Sequence, residues 1–255
     1  MAEGSNTFVW YDLVTTDREA ALAFYRHVVG WTAAEAGLPG SDYTILSADR
    51  PVGGAVTLPP EVASNGGKPG WLGYIGVPDL DGAVERLRGS GGAVHRPASD
   101  IPGIGRFAVV ADPHGAVFVL FQPASGGSSP AAPMTPGHVG WHELYAGDGP
   151  DAFRFYADQF GWAKGDAMDM GPMGTYQIFT AGGPPVGAIM TKPPQVPRPA
   201  WGFYFVVPAI DAAVERVKDG GGQVVSGPME VPGGSWIIGA TDPQGANFAL
   251  VAPGR

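Results

Sequence analysis

The sequence predicts an α+β protein of two tandem modules, each made of two βαβββ units with curled mixed sheets and helices outside. Three observations carry this. The chain repeats itself over nearly its whole length. Within each copy, strand-like segments of alternating apolar pattern are interleaved with two segments of helical period. Gly and Pro number 41 and 26 among 255 residues, which suits short strands joined by many turns better than a helical bundle.

The repeat is read directly. FVWYDLVTTD at 8–17 answers VGWHELYAGD at 139–148, and FYRHVVGW at 24–31 answers FYADQFGW at 155–162. WLGYIGVPDLDGAVERLRGSGGAV at 71–94 answers WGFYFVVPAIDAAVERVKDGGGQV at 201–224, and DPHGAVFVL at 112–120 answers DPQGANFAL at 242–250. So many ordered matches mark a tandem duplication. Between the copies, the run PASGGSSPAAPMTPG at 123–137 has no apolar period and reads as a linker. The expected organisation is module 1 over 1–124, linker over 125–137 and module 2 over 138–255.

In the first copy a strand at 8–14 places Val9, Tyr11 and Leu13 on one face and Trp10, Asp12 and Val14 on the other. A helix follows from Asp17, a suitable N-cap, buries Ala20, Ala21, Phe24, Tyr25 and Val28, and ends at Gly30. Strands near 42–48 and 51–58 precede one at 71–77. A helix at 80–89 groups Leu80, Val84 and Leu87 and is closed by GSGG. Strands near 93–96, 105–111 and 116–121 complete the copy. In the second copy, AMDMGPMGTY at 167–176 reads as a loop before a strand.

Composition excludes several classes. Lys and Arg total 15 against 24 acids, a net charge of −9; such a surface repels phosphate backbones, so no nucleic-acid partner is expected. No apolar run reaches membrane-spanning length, and MAEGSNTF lacks a signal-peptide pattern, so a cytoplasmic protein with no membrane partner is expected. With no Cys, disulfides and thiolate chemistry are excluded. Walker, G-x-S-x-G and strand-following G-x-G-x-x-G motifs are missing.

Each copy resembles a glyoxalase / bleomycin-resistance / dioxygenase module of the vicinal-oxygen-chelate superfamily. The residues that carry this are Asp17, Phe24-Tyr25, Gly30-Trp31, VPDLDGAVER at 77–86 and DPHGAVFVL, with Asp148, Phe155-Tyr156, Gly161-Trp162, 207–216 and DPQGANFAL in the second copy. The WYDL and WHEL openings are most similar to tandem bacterial glyoxalase-like proteins. The resemblance implies sheets curled around clefts. In metal-dependent members it also implies His, Gln or Glu ligands on the first, a middle, the fifth and the last strand.

The first-strand ligand position, seven residues before the helix-capping Asp, holds Trp10 and Trp141. The fifth-strand position holds Leu72 and Gly202, and the last-strand position Val119 and Ala249. The middle stretches VGGAVTL and VGAIMT hold no carboxylate or imidazole. Indoles and alkyl groups do not coordinate a hard or borderline cation, so neither a metal nor any other cofactor is expected.

His138 and His142 form H-x-x-x-H on a strand, where four residues span about 13 Å, too far for one ion; His142 faces away from Trp141 and Glu143. His114 reads as a turn residue, His27 as a helix-end residue, and His95 follows a Gly-rich loop. Asp12 and Glu143 lie two residues beyond Trp10 and Trp141 and share their face. They are candidates either for acid–base work or for structural pairing with Arg106 or Arg154. Trp10, Trp141, Tyr74 and Tyr204 are expected to line the clefts, with Gly202 and Ala249 leaving more room in the second. Trp31, Trp71, Trp162 and Trp201 are expected to pack helices on sheets.

The reading is a small-molecule-binding protein for a modest apolar or aromatic compound, with metal-independent activity left open. The alternatives are a metal-dependent glyoxalase or dioxygenase-type enzyme and a non-catalytic assembly module. Either a monomer with paired modules or a homodimer fits.

Overall fold

The computed structural model describes residues 6–37, 42–125 and 131–255. The first module contributes β1 (Phe8–Thr15), α1 (Arg18–Val28), β2 (Thr32–Glu35), β3 (Thr44–Ser47), β4 (Pro51–Thr57), α2 (Pro60–Ser64), β5 (Gly70–Gly76), α3 (Leu80–Gly89), β6 (Ala93–Ile101), β7 (Gly105–Ala111) and β8 (Val117–Pro123). The second contributes β9 (Val139–Ala146), α4 (Gly149–Phe160), β10 (Ala163–Asp169), β11 (Thr175–Thr180), β12 (Pro185–Thr191), β13 (Ala200–Val206), α5 (Ile210–Asp219), β14 (Gln223–Glu230), β15 (Trp236–Thr241) and β16 (Asn247–Ala252). Two eight-stranded mixed sheets result, ordered β2-β3-β4-β1-β5-β8-β7-β6 and β10-β11-β12-β9-β13-β16-β15-β14. The α+β architecture expected from the sequence is the one observed.

Local chemistry sets the helix ends. The Asp17 carboxylate accepts from Ala20 N at 3.0 Å, Asp148 from Asp151 N at 2.8 Å and Asp79 from Gly82 N at 3.1 Å, satisfying amides that the first helical turn leaves open. Gly161 ends α4 at φ 71°, a left-handed conformation that glycine adopts without strain. The helix expected to run to Gly30 stops at Val28.

Three elements differ from the sequence reading. β2 and β10 are sheet-edge strands, mostly exposed, whose sequences TAAE and AKGDAMD lack apolar alternation. α2 is one short, wholly unburied turn beginning at Pro60. The Met-rich stretch is no plain loop: β10 and β11 form a hairpin closed by Met170 N to Gly174 O at 2.8 Å, with Met170 and Met173 exposed at its tip. Of the expected linker, residues 126–130 lie outside the described residues. Its end is held where Gly137 donates to Val206 O at 2.8 Å and accepts from Trp31 Nε1 at 2.7 Å.

Contacts group the described residues into two compact units, and each takes half of each module. The first holds residues 6–9, 73–125 and 142–201; the second holds 10–37, 42–72, 131–141 and 202–255.

In the second unit, α1 packs against α5, and Tyr25, Trp31, Trp71, Phe205 and Phe248 form an edge-to-face aromatic core. That core leaves no room for a water beside Trp31, Trp71 and Phe205. A polar chain runs through it. Trp71 Nε1 donates to Tyr25 Oη at 2.9 Å, and Tyr25 donates to Asp242 Oδ2 at 3.2 Å. Asp242 Oδ1 accepts from the amides of Gln244 and Ala246, shaping the DPQG turn.

In the first unit, Tyr156, Phe160, Trp162 and Phe179 are stacked, with Trp201 edge-on to Tyr156. Trp201 donates to Tyr156 at 3.0 Å, and Tyr156 to Asp112 Oδ2 at 3.2 Å. The four expected packing tryptophans thus fill these cores, and Phe-Tyr motifs from one module are bonded to DP-x-G turns of the other.

Candidate functional site

Strand alternation sends Trp10 and Asp12 of β1 to the face opposite Tyr11 and Leu13. Asp12 is 5% exposed and Trp10 is half-buried. A third residue completes the group. Tyr43, immediately before β3, donates its hydroxyl to Asp12 Oδ1 at 2.5 Å. Trp10 Nε1 lies 3.0 Å from the same oxygen and 2.6 Å from the Tyr43 hydroxyl. Burial, reinforced by the Asp12 charge, pushes the Tyr43 phenol well above its usual range, so its proton stays in the bond at neutral pH.

Tyr43 reaches Asp12 by crossing Gly54, which β1–β4 pairing sets opposite Asp12; a methyl on Gly54 would overlap the tyrosine ring. The sequence reading missed Tyr43. Its signal is the match of DYTILS at 42–47 to TYQIFT at 175–180, which needs a shifted offset.

The second module repeats the frame with different side chains. Glu143 is 6% exposed on β9, and β12 sets Ala188 opposite it. Trp141, two residues before, is half-buried. On β13, Gly202 and Tyr204 alternate to one face, and the parallel pairing with β16 brings Tyr204 beside Ala249. In the first module the corresponding pair is Tyr74 beside Val119, with Tyr74 edge-on to Phe121 at 6.2 Å.

Arg106 and Arg154 are engaged elsewhere than the sequence reading expected. Arg106 bonds Asp81 and Asp100, and Arg154 bonds Asp151. Both lie near solvent, where such pairs are most easily made.

Three of the histidines make identifiable structural contacts. His142 stacks on Phe8 at 4.4 Å, and its Nδ1 bonds Val186 O at 2.7 Å; burial lowers its pKa to about 4. His138 pairs with Asp49 at 2.6 Å. His114 lies in the DPHG turn, with Nδ1 accepting from Asp148 N at 3.3 Å and Nε2 3.3 Å from Asp151.

The donor set does not fit the divalent ion of metal-dependent members of such folds. Trp10, Leu72 and Val119, and Trp141, Gly202 and Ala249, offer no oxygen, imidazole or thiolate side-chain ligand. Among the described residues no group of three or more His, Asp or Glu is arranged to hold an ion.

The sequence matches the Glyoxalase/Bleomycin resistance protein/Dioxygenase superfamily over residues 7–120 and 135–250. The chain belongs to this superfamily. It is 34% identical over 248 residues to "Putative glyoxylase CFP32" of Mycobacterium tuberculosis, covering 96% of this chain and 94% of that protein. It is also 34% identical over 258 residues to "Anthracycline biosynthesis protein DnrV" of Streptomyces peucetius, covering 95% and 91%. Its fold is similar to that of a Mn(II)-bound glyoxalase from Novosphingobium aromaticivorans, with TM-score 0.69 and 15% identity over 99% of this chain and 83% of that one. It is likewise similar to the 2,3-dioxygenase LapB from Pseudomonas sp. KL28, with TM-score 0.67 and 14% identity over 99% and 93%. Among the described residues no helix of this superfamily member is long and apolar enough to cross a membrane.

Proposed function

We propose that this superfamily member binds a modest apolar or aromatic small molecule without a metal, and that Trp141, Gly202, Tyr204 and Ala249 of the second module form the binding face. One observation carries the reading. The family's metal-ligand positions hold only indole, alkyl or hydrogen side chains, while Tyr204 follows Gly202 by two residues on β13 and the buried Glu143 follows Trp141 by two residues on β9. Flat apolar walls with a few polar tips suit small ligands. Trp10 and Tyr74 are the first module's counterparts. Glu143 and Asp12, each two residues beyond a tryptophan on the same strand, are the groups able to accept a ligand hydrogen bond or proton. Gly202 and Ala249 in place of Leu72 and Val119 leave more space in the second module.

The rival reading is a metal-dependent enzyme, favoured by the names of a relative and of a structural neighbour; the donor chemistry argues against it. Two measurements separate them. Dialysed protein is expected to hold well below one equivalent of Zn, Ni, Fe, Mn or Mg, and a stoichiometric ion with chelator-sensitive stability overturns the proposal. A panel of small aromatic and carbonyl compounds is expected to change tryptophan fluorescence, with Trp141→Phe reducing the change more than Trp10→Phe. A panel that produces neither a fluorescence change nor a thermal shift leaves the assembly-module reading.

A further inference from the structure

We infer that the β10–β11 hairpin of the second module is a binding site for one soft monovalent metal ion, Cu(I), held by the thioethers of Met168, Met170 and Met173. The inference goes beyond the small-molecule proposal and does not depend on it. Its residues are not the family's ligand positions, and its donors are sulfur.

Sulfur is scarce in this chain and concentrated here. There are seven Met and no Cys, and three of the seven Met fall within 168–173. In the first copy the stretch after Gly30-Trp31, TAAEAGLPGSDY at 32–43, has none. Met170 and Met173 are 36% and 48% exposed, against 4% for Met190. Core packing does not account for either.

The backbone brings the three together. Met168 lies on β10 and Met170 one residue past its end. Strand alternation sends both to one side, about 7 Å apart along the chain. Met170 and Met173 end a hydrogen-bonded turn, Met173 N donating to Met170 O at 3.3 Å, which holds their Cα atoms within about 7 Å. Met170 N to Gly174 O at 2.8 Å, Gly174 N to Gly171 O at 2.9 Å and Gly171 N to Asp169 Oδ1 at 2.9 Å fix the tip. Gly171 and Gly174 supply the left-handed φ of 60° and 81° that this closure needs, and a Cβ at either would meet open space. Flexible, unbranched side chains on such a frame can converge on one ion without moving the backbone, and a preformed frame lowers the cost of binding.

The donors choose the metal. Thioether sulfur is soft and uncharged. With no thiolate, imidazole or carboxylate in the set, the ion selected is Cu(I); harder divalent ions take oxygen and nitrogen ligands. Three neutral donors leave the ion its single positive charge. The exposed Asp166 and Asp169 of β10 supply negative potential beside it, while Lys164 is turned over the Phe153 ring at 5.2 Å.

The test uses the full chain with 13C-methyl methionine in chloride-free buffer. Ag(I) serves first, as a soft, redox-stable ion of the same charge. The tip methyl resonances are assigned by their loss in Met168→Leu, Met170→Leu and Met173→Leu. All three should move together and saturate at one equivalent of Ag(I). Met229, exposed on β14 and isolated in sequence, should need severalfold more ion, and the buried Met190 should not move. Each single leucine variant should weaken the response of the two remaining tip methyls severalfold, with an unmoved Met190 methyl showing that the fold is kept. Cu(I) held reduced by ascorbate under argon should give the same three shifts at one equivalent, and Zn(II) none.

Met229 responding at the same Ag(I) concentration as the tip overturns the inference, because the tip is then a set of independent surface thioethers. Tip methyls that titrate one by one, indifferent to the loss of a neighbour, overturn it too. So do tip methyls that shift with Ag(I) but not with Cu(I), or with neither.

Discussion

In one compact unit Trp71 donates to Tyr25 and Tyr25 to Asp242; in the other Trp201 donates to Tyr156 and Tyr156 to Asp112, at distances matching within 0.1 Å. The first strands differ in residue type and in register partner. Asp12 stands in register with Gly54, and Glu143 with Ala188. Tyr11 of β1 packs edge-on to Phe203, and its counterpart His142 stacks on Phe8. Duplication has thus kept the buried anchors alike and let the strand faces diverge. The anchors hold a carboxylate, a phenol and an indole inside aromatic packing, where each lost partner leaves a desolvated polar group.

The largest effect should come from the anchors. Asp242→Ala and Asp112→Ala each remove the acceptor of a tyrosine hydroxyl and of two turn amides. Each should cost about 3 kcal/mol or more in urea unfolding. A loss of under about 1 kcal/mol for either would break the likeness.

His142 and Tyr11 should separate the modules by pH. Burial lowers His142 to about 4 from 6.5, so between these values the unfolded chain binds the extra proton. Its contribution is complete above about pH 6.5 and is lost as the pH falls toward 4, by at most about 3 kcal/mol. Burial raises the Tyr11 phenol, so Tyr11 adds nothing in that window. Urea midpoints of His142→Tyr should show a flattened acid limb; an unchanged limb would exclude His142 as its source.

Tyr25→Phe and Tyr156→Phe should each cost about 1–3 kcal/mol, because an indole N–H and a carboxylate oxygen lose a partner together. Equal thermal shifts would sharpen the comparison, and unequal ones would show that the matched distances hide different strain. The smallest effect belongs to the surface. Asp49→Asn removes the exposed pair with His138 and should change stability by under about 0.5 kcal/mol.

The sequence made the duplication, the main strands and the longer helices legible, because core-facing residues recur with strand or helix period and Asp17 marks a helix start. β2 and β10 left no such trace, since a sheet-edge strand need not alternate when both faces meet water. The first-strand carboxylates could be found from parity with Trp10 and Trp141. Tyr43 could not, because its role depends on a glycine one strand away rather than on spacing along the chain. Nor could the pairing of Tyr25 with Asp242, since nothing local ties a helix to a turn 217 residues later.

That long separation governs how the chain emerges from the ribosome. Tyr25, Trp31 and Trp71 are complete in sequence by residue 72, yet Phe205, Asp242 and Phe248, which cover them, follow some 130 to 180 residues later. At about 5–20 residues per second, this aromatic surface waits on the order of ten to thirty seconds for its partner half. During that interval the nascent first module carries three large aromatics without the residues that cover them in the folded chain, so other exposed apolar surfaces compete with the segment still to be made.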